Sequence, residues 1–269
     1  MTRAVLLCLA APLVLLLASC SSTTPKVTSD HAPAKPRDIS GVTDAVPRPE
    51  PYSRYGNPES YVVFGKRYYT KKDSKGYQEQ GIASWYGSKF HGRRTSSGEV
   101  YDMYQMTAAH KSLPLPTYAR VTNLRNGRSI IVKINDRGPF HNNRIIDLSY
   151  VAAARLGILE NGTGLVEVEA IDTSVPLPAR TQVASKPPVN ENAVMYLQVG
   201  AFSQRDNADR MRSRLQTANV GTIQVVEGHS DSGPLYRVRV GPLASVNEAD
   251  RIANTLVSQG ISDTRVIVD

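Results

Sequence analysis

The sequence predicts a mainly β protein with an α+β tail. A small closed barrel fills the middle of the chain, and a four-stranded sheet with two helices on one face follows it. Three observations lead there. Residues 81–171 break into short strand-like runs separated by Gly, Pro and Asn turns, with one short helical pattern, as in a small β-barrel. Residues 193–269 repeat themselves at an offset of 41, each half reading strand, helix, strand. The stretches before and between these parts are rich in Pro, Ser, Thr and Ala and lack an apolar period, so they predict tether and linker. The divisions drawn from these shifts are 1–19, 20–51, 52–79, 80–172, 173–192 and 193–269.

The first twenty residues read as an export signal. Arg3 supplies the positive charge, and Leu6 to Leu17 form an apolar run too short to cross a bilayer, which needs about 20 residues. Leu17-Ala18-Ser19-Cys20 resembles a bacterial lipobox, so residues 1–19 are expected to be removed and Cys20 to carry lipid. Ser21 stands where an inner-membrane retention signal has Asp, which points to the periplasmic face of the outer membrane. An ordinary secretory signal with an incidental cysteine is the alternative. Cys8 is the only other cysteine and leaves with the signal, so no internal disulfide is expected and stability must come from packed cores.

Of the 32 Lys and Arg only Arg3 precedes Cys20, which leaves 31 against 24 Asp and Glu. The excess lies before residue 193; residues 193–269 carry eight charges of each sign. Basic surfaces suit nucleic acid, but an envelope address removes that partner. A carboxylate-bearing polymer such as peptidoglycan fits better. Solvated surface side chains explain any single residue equally well.

Residues 52–79 are full of tyrosine, and Tyr61 to Tyr69 read as a hairpin turning at Gly65-Lys66. This segment either packs on the barrel or stacks on carbohydrate. A first barrel strand runs from Gly81 to Gly87 and carries Trp85, which is either core or the floor of a sugar groove, beside Tyr86. In the next loop, Arg93 and Arg94 either grip a sugar carboxylate or are solvated. Leu113-Pro114-Leu115-Pro116 excludes helix and leads into a strand from Tyr118 to Leu124. Asn126-Gly127 then turns the chain into a strand from Ser129 to Asp136. Period-2 geometry puts Ile130, Val132, Ile134 and Asp136 on one face. If that face is the interior, Asp136 is a carboxyl at the lip of an apolar core, where desolvation raises its pKa. Ser149 and Gly157 cap one short helix, which leaves Asp147 either structural at that corner or catalytic. A strand from Gly164 to Ile171 completes the barrel.

In the tail the strands 195–201, 222–228, 235–241 and 264–268 alternate with helices 204–218 and 245–259. Leu197, Val199, Val238 and Val240 face the helices. Tyr196, Gln198, Arg237 and Arg239 are left on the open face.

Gly81 to Gly87, Thr95 to Glu99, Ala108 to Lys111, Ile134 to Phe140 and Arg144 to Ser149 occur in an order that resembles the double-psi β-barrel of the rare lipoprotein A (RlpA) family, septal lytic transglycosylases of bacterial envelopes. A weaker likeness reaches expansins and barwin-like proteins. Leu197-Gln198-Val199-Gly200-Ala201-Phe202-Ser203 resembles the SPOR domain, a ferredoxin-like module whose family binds glycan strands stripped of stem peptides at division sites. The resemblance implies endolytic cleavage of the MurNAc–GlcNAc β-1,4 bond with 1,6-anhydro ends, in daughter-cell separation and without a cofactor. It carries Glu99, His110 and Asp136 over as site residues; the interior-face argument makes Asp136 the expected acid and base, with His110 to orient or polarise and Glu99 to position the sugar or stabilise positive charge. Trp85, Tyr86, Arg94, Arg137 and Asp147 are expected along the substrate, and Tyr196, Gln198, Arg237 and Arg239 on the tail's glycan. The five histidines show no metal-ligand spacing. A non-catalytic wall-binding lipoprotein is the rival reading, and a hydrolytic muramidase a lesser one.

Overall fold

The computed structural model describes residues 30–174 and 194–269, apart from 36, 142, 231 and 232. The signal segment, Cys20 and nearly all of the 173–192 linker lie outside the described residues. A two-stranded hairpin, β1 (Ser60–Val63) and β2 (Lys66–Tyr69), precedes the barrel. Six strands then close on themselves: β3 (Gln78–Tyr86), β4 (Thr107–His110), β5 (Thr117–Asn123), β6 (Ser129–Asp136), β7 (Arg144–Ser149) and β8 (Thr163–Ala170). Their order around the barrel is β3-β7-β4-β6-β5-β8. The β3·β7 and β4·β6 pairs are parallel and the rest antiparallel.

Small and branched side chains fill the interior, among them Ala83, Ala108, Val121, Val132, Ile134, Ile146, Leu148 and Val168. The helix α1 (Tyr150–Leu156) packs against this core with Val151, Ala152 and Leu156 fully buried. Each large apolar side chain withdrawn from water there contributes about 1.5–3 kcal/mol. The helix has the expected ends. Ser149 Oγ accepts the Ala152 amide, and Gly157 adopts φ +77°, a left-handed conformation that a glycine enters without steric cost.

Two strands, β4 and β7, are absent from the sequence reading. Both are short, and all four residues of β4 are buried, so neither shows the alternation that marks a half-exposed strand. A second difference decides the site. Between β4 and β6 the register shifts: Ala108 faces Ile134, but Ala109 faces Asp136. Asn135 is the extra residue, and such a bulge turns the next side chain onto the other face. Ile134 stays inside with Ala108, and Asp136 leaves the interior face to join Ala109.

The expected tether is, over residues 30–51, a strap laid on the barrel. Ile39, Val42 and Ala45 pack against the barrel core, the Ala45 amide donates to Ile131 O at 3.0 Å, and Asp44 pairs with Arg155 at 3.5 Å. Three modest apolar side chains at spacings of three residues are too sparse to register as a period, yet enough to dock a chain whose polar groups find partners on the barrel.

The tail sheet is antiparallel, with order β10-β11-β9-β12. Its strands are β9 (Met195–Phe202), β10 (Ile223–Ser230), β11 (Gly233–Leu243) and β12 (Arg265–Val268), and α2 (Arg205–Thr217) and α3 (Val246–Ser258) are its helices. Met195, Leu197, Val199, Val238 and Val240 form the core with Ala208, Leu215, Ile252 and Leu256. Ser245 caps α3 by accepting the Glu248 amide, while the Glu248 carboxylate reaches back to the Ala244 amide. Ile82 and Leu165 of the barrel pack into this second core, and Glu79 meets Arg265 at 2.8 Å.

Candidate active site

Four adjacent barrel strands present a row of side chains to the outside. Ser84 on β3 lies opposite Asp147 on β7, Asp147 lies opposite Ala109 on β4, and Ala109 lies opposite Asp136 on β6. The two carboxyls are thus separated by one strand, with backbones roughly 10 Å apart. The small, buried Ala109 stands between them. Gly138 borders the row: a Cβ there would lie 3.7 Å from the Ala109 methyl and 4.0 Å from Asp147 Oδ2.

The two carboxyls differ. Three donors converge on Asp136 Oδ1: the Ser96 amide (2.8 Å), the Ser96 hydroxyl (2.6 Å) and the Arg137 amide (2.7 Å). Asp147 accepts a hydrogen bond from the Ser84 hydroxyl, and burial pushes its carboxyl above the usual range against the pull of Ser84, Arg144 and Lys111. The desolvated carboxyl sought in the sequence is therefore found at Asp147. The bulge removes Asp136 from the apolar interior.

Tyr86 flanks the row. Its ring is buried and stacks on Tyr101 with centroids 4.2 Å apart, and the Tyr101 hydroxyl donates to Tyr86 O at 2.6 Å. Burial drives the Tyr86 phenol well above its ordinary range. Glu99 sits beyond Asp136 on the rim, where it accepts from Lys133 Nζ (2.8 Å) and Asn135 Nδ2 (2.6 Å). Lys133 also reaches Glu50, whose carboxyl three donors hold down at about 2 despite its partial burial.

Several expected site residues are placed otherwise. His110 does not share the face of that row, because it follows Ala109 on β4 and points to the opposite face. Its Nδ1 accepts the amides of Ser112 (3.1 Å) and Leu113 (3.0 Å), which leaves the proton on Nε2, bonded to Tyr77 Oη at 2.8 Å. Tyr77 in turn donates to Glu79 at 2.5 Å. Burial, with Arg137 and Lys111 nearby, holds the imidazole neutral with a pKa of about 3. Arg137 clamps the chain from within. Its guanidinium donates to Gly56 O, His110 O, Leu113 O and Asn57 Oδ1. Trp85 lies on the other face of β3 from Ser84 and Tyr86, edge-on to Tyr150 at 6.0 Å and against the barrel core. Arg94 stays on the exposed loop and bonds to Gly98 O.

Ser84 and Ser96, which hold the two carboxyls, are positions that the sequence did not single out. A serine two residues before Tyr86 and a serine in a Ser-rich loop carry no signal until register brings them to Asp147 and Asp136. In the tail, Tyr196, Gln198, Arg237 and Arg239 lie on the sheet face opposite the helices. Arg239 pairs with Asp269 at 2.6 Å and lies 5.9 Å from the Tyr196 ring centre. Among the described residues no cluster of three metal-ligating side chains occurs.

Comparison with known proteins gives concordant matches. Residues 78–169 match the family described as lytic transglycolase, and residues 192–266 match the SPOR domain. A protein of Pseudomonas aeruginosa named endolytic peptidoglycan transglycosylase RlpA is 37% identical over 90% of each chain. Its namesake in Vibrio cholerae is 42% identical over 92% of this chain and 89% of its own. That of Neisseria meningitidis is 42% identical over 77% and 82%. A double-psi barrel with a paired-carboxyl row, joined to a SPOR domain and matched at this identity along nearly the whole chain, belongs to the RlpA family of lytic transglycosylases.

Proposed function

We propose that this chain cleaves peptidoglycan glycan strands internally at MurNAc–GlcNAc β-1,4 bonds, leaving 1,6-anhydroMurNAc ends. The observation that carries the reading is the row Ser84–Asp147–Ala109–Asp136, in which one carboxyl is desolvated and the other is held by three donors. The acid and base are assigned to Asp147 in place of Asp136. A protonated Asp147 gives its proton to the glycosidic oxygen as the bond from muramyl C1 breaks. Asp136 faces the positive charge that develops at C1. The Asp147 carboxylate then takes the proton of the muramyl C6 hydroxyl as that oxygen closes on C1. Asp147 ends protonated, as it began, and no water is consumed.

The same reading supplies the wider setting. Lipid on Cys20 holds the chain at the periplasmic face of the outer membrane. The SPOR domain brings it to glycan lacking stem peptides at the division septum, where cutting separates daughter cells. The test is digestion of purified, stem-peptide-free sacculi, with products read by mass spectrometry. Anhydro-ended fragments of several lengths are expected. Reducing ends would make the protein a muramidase, and intact glycan with retained binding would make it a non-catalytic wall protein.

A further inference from the structure

The turn after β3 holds a carboxylate and a carbonyl that belong to the chain's own strap. The Gly87 amide donates to Asp30 Oδ2 at 2.7 Å and the Lys89 amide to Asp30 Oδ1 at 3.0 Å. Between them the Ser88 amide and hydroxyl both reach His31 O at 3.0 Å. Three consecutive backbone amides pointing one way form a nest, an anion seat of fixed dipoles. Gly87 is required there because a Cβ at this position would lie 2.4 Å from His31 O. The seat adjoins the site. Gly87 directly follows Tyr86, the loop from it runs to the Ser96 that holds Asp136, and the phenol of Tyr101, stacked on Tyr86, feels both Asp30 and Asp147. Asp30 and His31 are themselves exposed, so burial does not hold them in place.

We propose that this turn is the subsite for an N-acetylated sugar bearing a free carboxylate, and that Asp30 and His31 fill it as an internal stand-in which substrate displaces. The inference rests on the glycan-cleaving reading and names the feature of the glycan that is recognised. On a muramyl ring the lactyl carboxylate and the acetamido carbonyl are neighbours, at O3 and C2, as Asp30 Oδ and His31 O are neighbours here. A stem peptide converts that carboxylate to an amide and removes one negative acceptor, so the seat selects stripped strands. The strap lowers apparent affinity by keeping most of the seat occupied.

Two measurements test this on the full chain and its Asp30→Asn variant. In NMR titrations of the variant, N-acetylmuramic acid is expected to shift the Gly87, Ser88 and Lys89 amides, whereas its methyl ester and N-acetylglucosamine are not. In the native chain the same shifts should need about tenfold more sugar. On stripped glycan the variant should show a KM several-fold lower with kcat unchanged. Equal shifts with acid and ester, or no shift in the variant, would overturn the proposal. So would a variant that melts earlier with an unchanged or higher KM, which makes Asp30 a structural tie. The titration needs no turnover, so a protein that binds the sugar but yields no anhydro ends would sink the cleavage reading and leave the seat standing.

Discussion

The barrel row and the open face of the tail sheet are both polar surfaces on β-structure, but they are built on opposite electrostatic lines. The row keeps Asp147 out of water and gives it one hydroxyl donor and a second carboxyl across a single alanine. The sheet face carries half-buried Tyr196, Gln198, Arg237 and Arg239, with Arg239 neutralised by Asp269. Desolvation raises the free energy of a charge and makes it able to move a proton. A half-open, self-paired surface does not do this and is suited to holding a ligand. The difference assigns chemistry to one domain and recognition to the other.

The largest expected effect is the loss of chemistry in the row. Asp147→Asn should lower kcat on stripped glycan by about 10²–10⁴-fold, the range of general acid–base catalysis, with glycan binding retained in a sedimentation assay. Asp136→Asn should cost about 10²-fold, the size of one electrostatic contact to a developing charge. If Asp136→Asn alone abolishes turnover and Asp147→Asn does not, the two roles are exchanged.

His110 sharpens the comparison, because it is buried like Ser84 and Ala109 of the row yet wholly committed to its neighbours. His110→Ala should destabilise the fold by about 1–3 kcal/mol at pH 7, through the stranded amides of Ser112 and Leu113 and the freed Tyr77 hydroxyl. The sign with pH is fixed by its depressed pKa. The unfolded histidine binds a proton below about 6.5 and the folded one only near 3, so acid favours unfolding of the native chain across that window. The alanine variant lacks this penalty, and urea titrations should show the gap between the two proteins shrinking from pH 7 to pH 4.

On the sheet face, Tyr196→Ala should weaken glycan binding about tenfold, equivalent to 1.4 kcal/mol, and leave kcat at saturation unchanged. A fall in kcat would make the tail part of the catalytic site. The smallest expected change is at Ser84, whose hydroxyl stabilises the Asp147 carboxylate. Without it the raised pKa rises further. Turnover needs the protonated form and is lost as pH climbs through that value, so the alkaline limb of the pH–kcat/KM profile should move to higher pH in Ser84→Ala.

Local chemistry made much of this molecule legible from residues alone. The Asn126-Gly127 turn, the Ser149 and Gly157 caps and the 41-residue repeat each act within a few residues or repeat a pattern, so the hairpin, α1 and the tail fold could be read directly. The apolar alternation of Ile130, Val132 and Ile134 likewise placed β6. The face on which Asp136 ends lay beyond the sequence, because one bulged residue at Asn135 reverses a period-2 pattern and is fixed by pairing with β4. The same holds for the isolation of His110, the commitment of Arg137 to four internal acceptors and the docking of residues 30–51. Each depends on partners tens of residues away, and long-range register is set by the packing of the whole barrel rather than by any stretch of it.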